Sequence, residues 1–285
     1  MIRQARISLI SFAAGATVLL FPAVFHVLPF IGFIWEDFWH AILMIHFLIC
    51  NGAFSAIYVH QRDSYRISVR AGNLGIVFGL SFLISIYSQS WQHFGWYIMT
   101  LTFFHWSEYE TTALTNPSSL TLESFLLDHS REYKMAAAAS CAEFIVEGLV
   151  FPGMKHQKWI STFGLILTVG GELLRKASMF TARTNFNHHI QHTKQDGHIL
   201  VTRGVYSLFR HPSYVGWFAW SIGTQIMLCN PFCLIGYTIV SWRFFNERIT
   251  EEEIYLLNFF GEDYLDYQKK VPTGIPFVRG YRQYL

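Results

Sequence analysis

Residues 159–180 read WISTFGLILTVGGELLRKASMF, and a run of this kind decides the fold class. It is 22 residues long and carries its charged side chains near its end, at Glu172, Arg175 and Lys176. A helix rising about 1.5 Å per residue crosses the apolar core of a bilayer within that length. Comparable runs occur at residues 7–25, 38–59, 69–87, 94–114 and 135–151. The sequence therefore predicts six transmembrane helices within residues 1–180.

The composition of the whole chain also favours a membrane protein. Of its 285 residues, 52% are hydrophobic, 18% are aromatic and only 14% are charged, whereas an ordinary soluble domain has roughly 25% charged residues. So little charge excludes a single soluble enzyme domain, and so many aromatic residues exclude intrinsic disorder. The basic N-terminus and the long apolar run after it predict a first membrane helix, with a cleaved signal peptide as the alternative. We expect free thiols at Cys50, Cys141, Cys229 and Cys233.

Two shorter apolar runs follow, at residues 213–228 and 232–245, separated only by the turn Asn230-Pro231. Each is marginal for a full crossing, so the pattern predicts a tilted or re-entrant helical hairpin. The chain is then an all-α polytopic membrane protein with about eight transmembrane helices. We expect residues 181–285 to form the catalytic region, which includes this hairpin at about 213–245.

The positions of Lys and Arg predict the orientation in the membrane. Under strict alternation of the crossings, only Lys155 and Lys158 fall on the far side of the bilayer. This bias places both termini in the cytosol. The two polar stretches, residues 181–210 and 246–285, then lie on the cytosolic face beside the hairpin, where they can meet. The net charge of +2 without clustered basic stripes indicates no nucleic-acid partner.

Two pairs of charged residues lie within predicted membrane helices, where charge is costly and usually faces a cavity or another charge. Glu172 and Arg175 are three residues apart and share a helix face. They could serve function, or form an internal ion pair near the helix end. Glu143 and Glu147, four residues apart, are interpreted as side chains that hydrogen-bond to other helices, and their mutual repulsion could leave one of them neutral.

The histidine cluster His188, His189, His192 and His198 has no acidic or third ligand at a zinc-signature spacing, so no metal site is predicted. The chain also has neither a Gly-rich dinucleotide fingerprint nor a phosphate-binding loop of the Walker type. Any nucleotide cofactor is therefore expected to bind without a Rossmann fold.

Residues 198–216 read HILVTRGVYSLFRHPSYVG and are the most informative stretch for function. Pro212 suits the first turn of a helix, which places His211 at the cap beside free backbone N–H groups. Such groups can hold a carboxylate, and Tyr206 and Tyr214 add flat faces and hydroxyls. We interpret the stretch as a ligand-binding helix N-terminus, or else as a helix start with interfacial aromatic residues. Arg248 and Glu252, at i and i+4 after the hairpin, share a face opposite it.

Three segments resemble the isoprenylcysteine carboxyl methyltransferase family, most closely its animal members. They are LVTRGVYSLFRHPSYVGWF at 200–218, MLCNPFC at 227–233, and WRFFNERITEEEIYLLNFFGEDYLDYQKKVPTGIPF at 242–277. The upstream segments GELLRKASMF at 171–180 and NFNHHIQ at 185–191 are also similar to family segments. The first ~150 residues agree mainly in hydropathy, as expected for membrane helices.

The resemblance implies an endoplasmic-reticulum membrane enzyme that transfers a methyl group from S-adenosylmethionine to the carboxylate of a C-terminal prenylcysteine. Its substrates would be CaaX proteins carrying a farnesyl or geranylgeranyl chain. The resemblance also implies a catalytic, substrate-binding role for Arg248 and for Arg175, the latter within a membrane helix. The positions that match the family's cofactor contacts are Gln191, His198, Ile199, Leu200, Val201, Tyr206, His211, Pro212, Ser213, Tyr214 and Glu252.

Two other functions are compatible with parts of the sequence. Phospholipid methyltransferases and some sterol reductases share the core Arg-His-Pro-x-Tyr, so a phospholipid- or sterol-modifying enzyme is the first alternative. A transporter is the second alternative, supported only by the membrane helices and the charges within them. It predicts broken central helices and inverted repeats, and the sequence has no visible internal repeat.

Overall fold

The computed structural model describes residues 2–27, 32–128 and 130–282, and these residues form helices and no strand. The three stretches that are long and apolar enough to cross a membrane are Arg3–Phe25, Ile34–Tyr58 and Arg62–Tyr87. The prediction of an all-α polytopic membrane protein is confirmed. The α-helices are α1 Arg3–Ala16, α2 Phe21–Val27, α3 Gly32–Tyr58, α4 Arg62–Tyr87, α5 Gln92–Thr115, α6 Arg131–Val150, α7 Lys158–Ala182, α8 Pro212–Met227, α9 Pro231–Phe260 and α10 Glu262–Lys270.

The described residues divide into two compact units. The first holds the residues up to Leu114 together with Leu120–Leu127, and in it α1 packs along α4. Aromatic stacking supports its core: the rings of Phe12 and Trp106 are 4.2 Å apart, and those of Tyr109 and Phe125 are 4.0 Å apart. The functional division expected at residue 180 remains a prediction.

The second unit holds Thr115–Ser119 and the described residues from Asp128 onward, and it contains the predicted hairpin. The hairpin arms are α8 and α9, and they turn at Asn230-Pro231. The second arm does not end near residue 245 but continues as one helix to Phe260. The reason is local, because residues 246–260 contain neither Gly nor Pro and are rich in Glu, Ile and Leu, which a helix tolerates well. Arg248 and Glu252 therefore share a helix with the membrane segment.

Charged side chains hold the hairpin turn. Among them are Glu143 and Glu147, whose bonding partners the sequence left open. Glu143 accepts hydrogen bonds from the first backbone N–H groups of α9, those of Phe232 at 2.8 Å and Cys233 at 2.6 Å. Its negative charge lies where the helix dipole favours one. Glu147 pairs at 2.7 Å with the buried Lys155. Both carboxylates thus bond to neighbouring parts of the same unit, as the helix-packing interpretation predicted.

Lys155, in the short turn Pro152–His156 between α6 and α7, holds the hairpin turn at the end of α8. Besides Glu147, its ammonium donates to the carbonyl oxygens of Leu228 and Cys229, at 3.0 and 2.9 Å, and to Asn230 Oδ1 at 2.7 Å. A cation at the last carbonyls of α8 complements the C-terminal end of that helix. The charge is therefore buried inside the hairpin turn rather than exposed at the membrane surface.

Helices α7 and α8 approach each other closely along a line of glycines. A Cβ added at Gly171 would lie 2.5 Å from the carbonyl oxygen of Gly216, and one at Gly216 would lie 2.5 Å from that of Gly171. Gly164 meets the backbone of Met227 in the same way, at 2.2 Å. Small residues of this kind let membrane helices pack backbone to backbone. The contact fixes the start of α8 against the second half of α7.

We expect Gly171→Ala to destabilise the protein, because the added methyl must separate α7 from α8. Overpacking of this kind costs about 1–3 kcal/mol. The matched control is Gly170→Ala on the same helix, where the new Cβ meets nothing within 4 Å and the alanine favours the helix. Thermal denaturation of the detergent-purified variants measures both. Equal midpoints for the two variants would contradict the close packing.

Candidate active site

A cavity opens in the second unit where the start of α8 meets the second half of α9. It encloses about 870 Å³, including the open space at its mouth. Its walls are residues 182–201, the turn and helix start at 206–214, and side chains of α9 and α10. The structure brings all the sequence-predicted cofactor positions to this one cavity: Gln191, His198, Ile199, Leu200, Val201, Tyr206, His211, Pro212, Ser213, Tyr214 and Glu252.

One wall of the cavity is a segment without regular structure, residues 186–203. Side chains fasten it to α9. Lys194 donates at 2.8 Å to the carbonyl oxygen of Phe259, near the end of that helix, and its ammonium lies 4.8 Å from the ring of Phe260. The ring of His192 meets Tyr255 edge to face at 4.7 Å. The two polar stretches singled out in the sequence therefore meet. They do so at the end of the hairpin that is expected to face the cytosol.

Three histidines of this wall, His188, His192 and His198, each contact an aromatic ring. His198 lies beside Phe259 and Phe260, and burial lowers the pKa of its imidazole. Within residues 2–27, 32–128 and 130–282 no three His, Cys, Asp or Glu side chains are grouped to hold a metal ion. His198 Nδ1 is buried in the cavity wall with no hydrogen-bond partner among the described residues.

The start of α8 forms the base of the cavity. Pro212 is the first residue of the helix, and His211 precedes it with φ −124° and ψ 59°. The rings of His211 and Tyr214 stack in parallel, 5.5 Å apart. The N–H groups of Tyr214 and Val215 donate to the carbonyl oxygen of His211, at 3.0 and 3.1 Å. Pro212 has no N–H, so among the described residues of this first turn only Ser213 has an N–H without a backbone partner. The two stacked rings suit a ligand with a flat or cationic part.

Tyr214 connects the cavity to Arg248. Its hydroxyl donates to Glu252 and accepts from Nε of Arg248 at 2.9 Å. The other end of the guanidinium donates to the carbonyl oxygen of His188 at 2.6 Å. Arg248 does not itself line the cavity but lies one contact behind it. Its side chain links the irregular wall, α8 and α9.

Arg175 also lies behind the start of α8, on the side opposite to Arg248. It is only 2% exposed, and its Nη1 donates to the hydroxyl of Ser213 at 2.7 Å. The guanidinium also lies 4.8 Å from the centre of the Trp217 ring. Glu172, its expected ion-pair partner, bonds at 3.1 Å to Lys176. Both arginines singled out by the sequence thus reach the cavity lining from within the protein, through Ser213 and Tyr214.

A buried hub centred on Glu253 was not predicted from the sequence, where only Arg248 and Glu252 were singled out on this part of α9. Glu253 is 0% exposed. Its Oε1 accepts from Arg210 Nε at 2.8 Å, His211 Nε2 at 3.1 Å and the Tyr264 hydroxyl at 3.1 Å. Its Oε2 accepts from Gln268 at 2.9 Å and from the backbone N–H of Tyr281 at 2.9 Å. Five donors therefore meet at one carboxylate.

The charge of Glu253 is held in place by its partners. Burial alone would raise the pKa of this carboxyl, but the hydrogen bonds from His211 and Arg210, together with the positive charge of Arg210, outweigh burial and lower the pKa to about 2. A helix-period signal in the sequence could have revealed its position. Phe245, Ile249 and Glu253 are spaced four residues apart, so Glu253 continues the buried face of α9.

Taken together, the helical fold and the cavity define a polytopic membrane enzyme with a small-molecule site built on a C-terminal helical hairpin. Comparison with known proteins agrees. Residues 164–258 match the isoprenylcysteine carboxyl methyltransferase family. The chain is 49% identical over 280 residues to the protein-S-isoprenylcysteine O-methyltransferase of Xenopus laevis, covering 98% of this chain and 96% of that protein. It is 50% identical over 277 residues to the one of Homo sapiens, covering 97% and 94%.

A solved structure is similar over nearly the same extent. It is that of a eukaryotic intramembrane Ras methyltransferase, an isoprenylcysteine carboxyl methyltransferase, with a TM-score of 0.91 and 40% identity over 99% of this chain and 100% of that one. The chain belongs to the isoprenylcysteine carboxyl methyltransferase family. Similarity over this length extends far beyond the Arg-His-Pro-x-Tyr core and favours this family over the phospholipid- or sterol-modifying alternative.

Proposed function

We propose that this chain transfers a methyl group from S-adenosylmethionine to the C-terminal carboxylate of a prenylated cysteine on CaaX proteins. The observation that carries the proposal is the cavity, whose lining contains every position that the family resemblance assigns to the cofactor. The unpartnered Nδ1 of His198 and the stacked rings of His211 and Tyr214 fit a ligand that has both donor groups and a cationic part. Bound S-adenosylmethionine supplies a methyl group on a cationic sulfur.

The residues of the chain serve the reaction by binding and aiming. A carboxylate needs no general base to attack a methyl group, so no proton has to move. It needs a cation that draws it from water and orients it, and an Arg guanidinium can grip two oxygens at once. Arg248 and Arg175 supply that cation. Opposite charges cancel as the ester and thioether form, so the buried, low-dielectric surroundings of Arg175 and the half-buried position of Arg248 suit the reaction.

The prenyl chain is expected to arrive through the bilayer along α9. The apolar side chains at Ile235, Ile239 and Val240 are each more than half exposed, and Phe244 continues them. Val240, Phe244 and Arg248 follow one another at intervals of four residues, so they share a face. The guanidinium of Arg248 lies 5.9 Å from the ring of Phe244. This apolar face therefore ends at the residue proposed to hold the carboxylate.

The cofactor assignment predicts that S-adenosylhomocysteine stabilises the purified protein against thermal denaturation, while NADPH does not. His211→Ala should weaken binding of S-adenosylhomocysteine about tenfold or more, because the ring that stacks on Tyr214 is lost. The Michaelis constant for a prenylcysteine should change little. His156→Ala, an exposed histidine at the far end of α7, is the control. Stabilisation by NADPH alone would overturn the function.

The substrate assignment predicts that Arg248→Lys lowers the methylation rate about 100-fold or more while cofactor binding is retained. Lysine keeps the charge, but its single ammonium cannot bond to Tyr214 and His188 and also aim a carboxylate. The control is Arg243→Lys on the same helix, whose side chain is 72% exposed. Steady-state methylation of a farnesylated cysteine measures both. Near-normal turnover in Arg248→Lys would remove this residue from the site, and Arg175→Lys tests the second arginine in the same way.

We also propose that the enzyme lies in the endoplasmic-reticulum membrane with its cavity facing the cytosol. Lys155 is one of two basic residues assigned to the far side, and its charge is neutralised inside the hairpin turn. Of the two basic residues on the far side, only Lys158 is then exposed. This strengthens the excess of Lys and Arg expected on the cytosolic side.

That orientation predicts that a glycosylation acceptor inserted at the exposed Gly153 is modified, because this loop would face the lumen. The same acceptor added after the C-terminus, or inserted at Gln61 between α3 and α4, should stay unmodified. Gel mobility with and without glycosidase reports the result. A modified C-terminal acceptor would place the cavity on the wrong side of the membrane.

A further inference from the structure

Glu253 lies behind the cavity and does not line it, yet it bonds to three residues that do: Arg210, His211 and Tyr264. An ionised carboxylate can only accept hydrogen bonds, so His211 Nε2 must carry the hydrogen that it shares with Glu253. In the neutral imidazole this leaves a lone pair on Nδ1. The bond to Glu253 thus fixes which nitrogen of His211 is free.

The free nitrogen of His211 faces a second acceptor. Its Nδ1 is 4.0 Å from Oε2 of Glu252, a separation too long for a direct hydrogen bond. Glu252 and His211 both line the cavity. A lone pair and a carboxylate at this separation leave room for a shared donor, and a ligand ammonium is a donor of that kind.

We propose that Glu253 is a positioning residue for the cofactor: it holds His211 in the tautomer and orientation whose Nδ1 faces Glu252, so that this pair receives the cofactor's amino group. The inference rests on the proposed function, because it takes S-adenosylmethionine as the ligand. It assigns to Glu253 a role that a merely structural carboxylate would not have. Losing Glu253 should affect cofactor binding far more than binding of the prenylcysteine.

The segment at Gly280 and Tyr281 also helps to position Glu253. The backbone N–H of Tyr281 donates to Glu253, and Gly280 lies against the carboxylate with φ +74°. A Cβ at Gly280 would lie 2.0 Å from Glu253 Oε2. Gly280→Ala therefore displaces the carboxylate from outside, without changing any residue of the cavity. It provides a second variant that is independent of Glu253→Gln.

The experiment compares Glu253→Gln and Gly280→Ala with two matched controls. Glu251→Gln changes an exposed glutamate on the same helix. Gly261→Ala imposes a similar positive φ, +54°, at a position where the new Cβ meets nothing within 4 Å. Binding of S-adenosylhomocysteine is measured by calorimetry, and the two Michaelis constants are measured by steady-state methylation of a farnesylated cysteine.

We expect both test variants to lose about 10- to 100-fold in affinity for S-adenosylhomocysteine, with a matching rise in the Michaelis constant for S-adenosylmethionine. The constant for the prenylcysteine should stay within about twofold, a difference of under 1 kcal/mol. Unchanged cofactor affinity in folded Glu253→Gln would overturn the inference, and so would an equal loss for both substrates. If Glu253→Gln does not fold, the cofactor affinity and the Michaelis constants of Gly280→Ala test the inference by the same criteria. Failure of the unmodified protein to bind S-adenosylhomocysteine would instead overturn the proposed function.

Discussion

Helices α7 and α8 touch backbone to backbone at Gly171 and Gly216, and the position of Arg175 follows from that contact. Arg175 lies one turn after Gly171, so the close approach brings its guanidinium to Ser213 in the first turn of α8. Larger residues at the glycines would separate the helices and weaken this buried hydrogen bond, at a cost of about 1–3 kcal/mol. Packing of the smallest side chains thus controls the placement of one of the largest polar ones.

The hairpin uses buried charge in a different way. A carboxylate and an ammonium within a membrane protein are costly when they lack partners, but Glu143 and Lys155 meet the unsatisfied backbone groups at the start of α9 and the end of α8. Each supplies the charge that the nearby helix end favours. The turn at Asn230-Pro231 is therefore held independently of the cavity at the other end of the hairpin. Its rigidity fixes the register of Tyr214 on one arm against Arg248 on the other.

Much of the fold could be predicted from the sequence, because hydrophobic length alone identifies helices such as α4 and α7. The set of residues around the cavity was also predictable, since the resemblance assigned them one by one. The partners of individual charges were not. Glu253 adjoins two other glutamates, and only the buried face of α9 distinguishes it from them. Three partners of Lys155, namely Leu228, Cys229 and Asn230, lie 73–75 residues away along the chain, which no local pattern reveals.

The irregular wall at residues 186–203 has a consequence for how the site is renewed after each turnover. It is fastened by side chains, chiefly Lys194 on Phe259 and the Arg248 bond to His188, and not by the ladder of a helix or sheet. Opening it breaks a handful of polar contacts and leaves every membrane helix intact, so its free energy of opening lies far below that of global unfolding. Under the proposed function, the spent cofactor would leave toward the water while the lipid chain of the product stays on the bilayer side. The departure of one product then need not wait for the other.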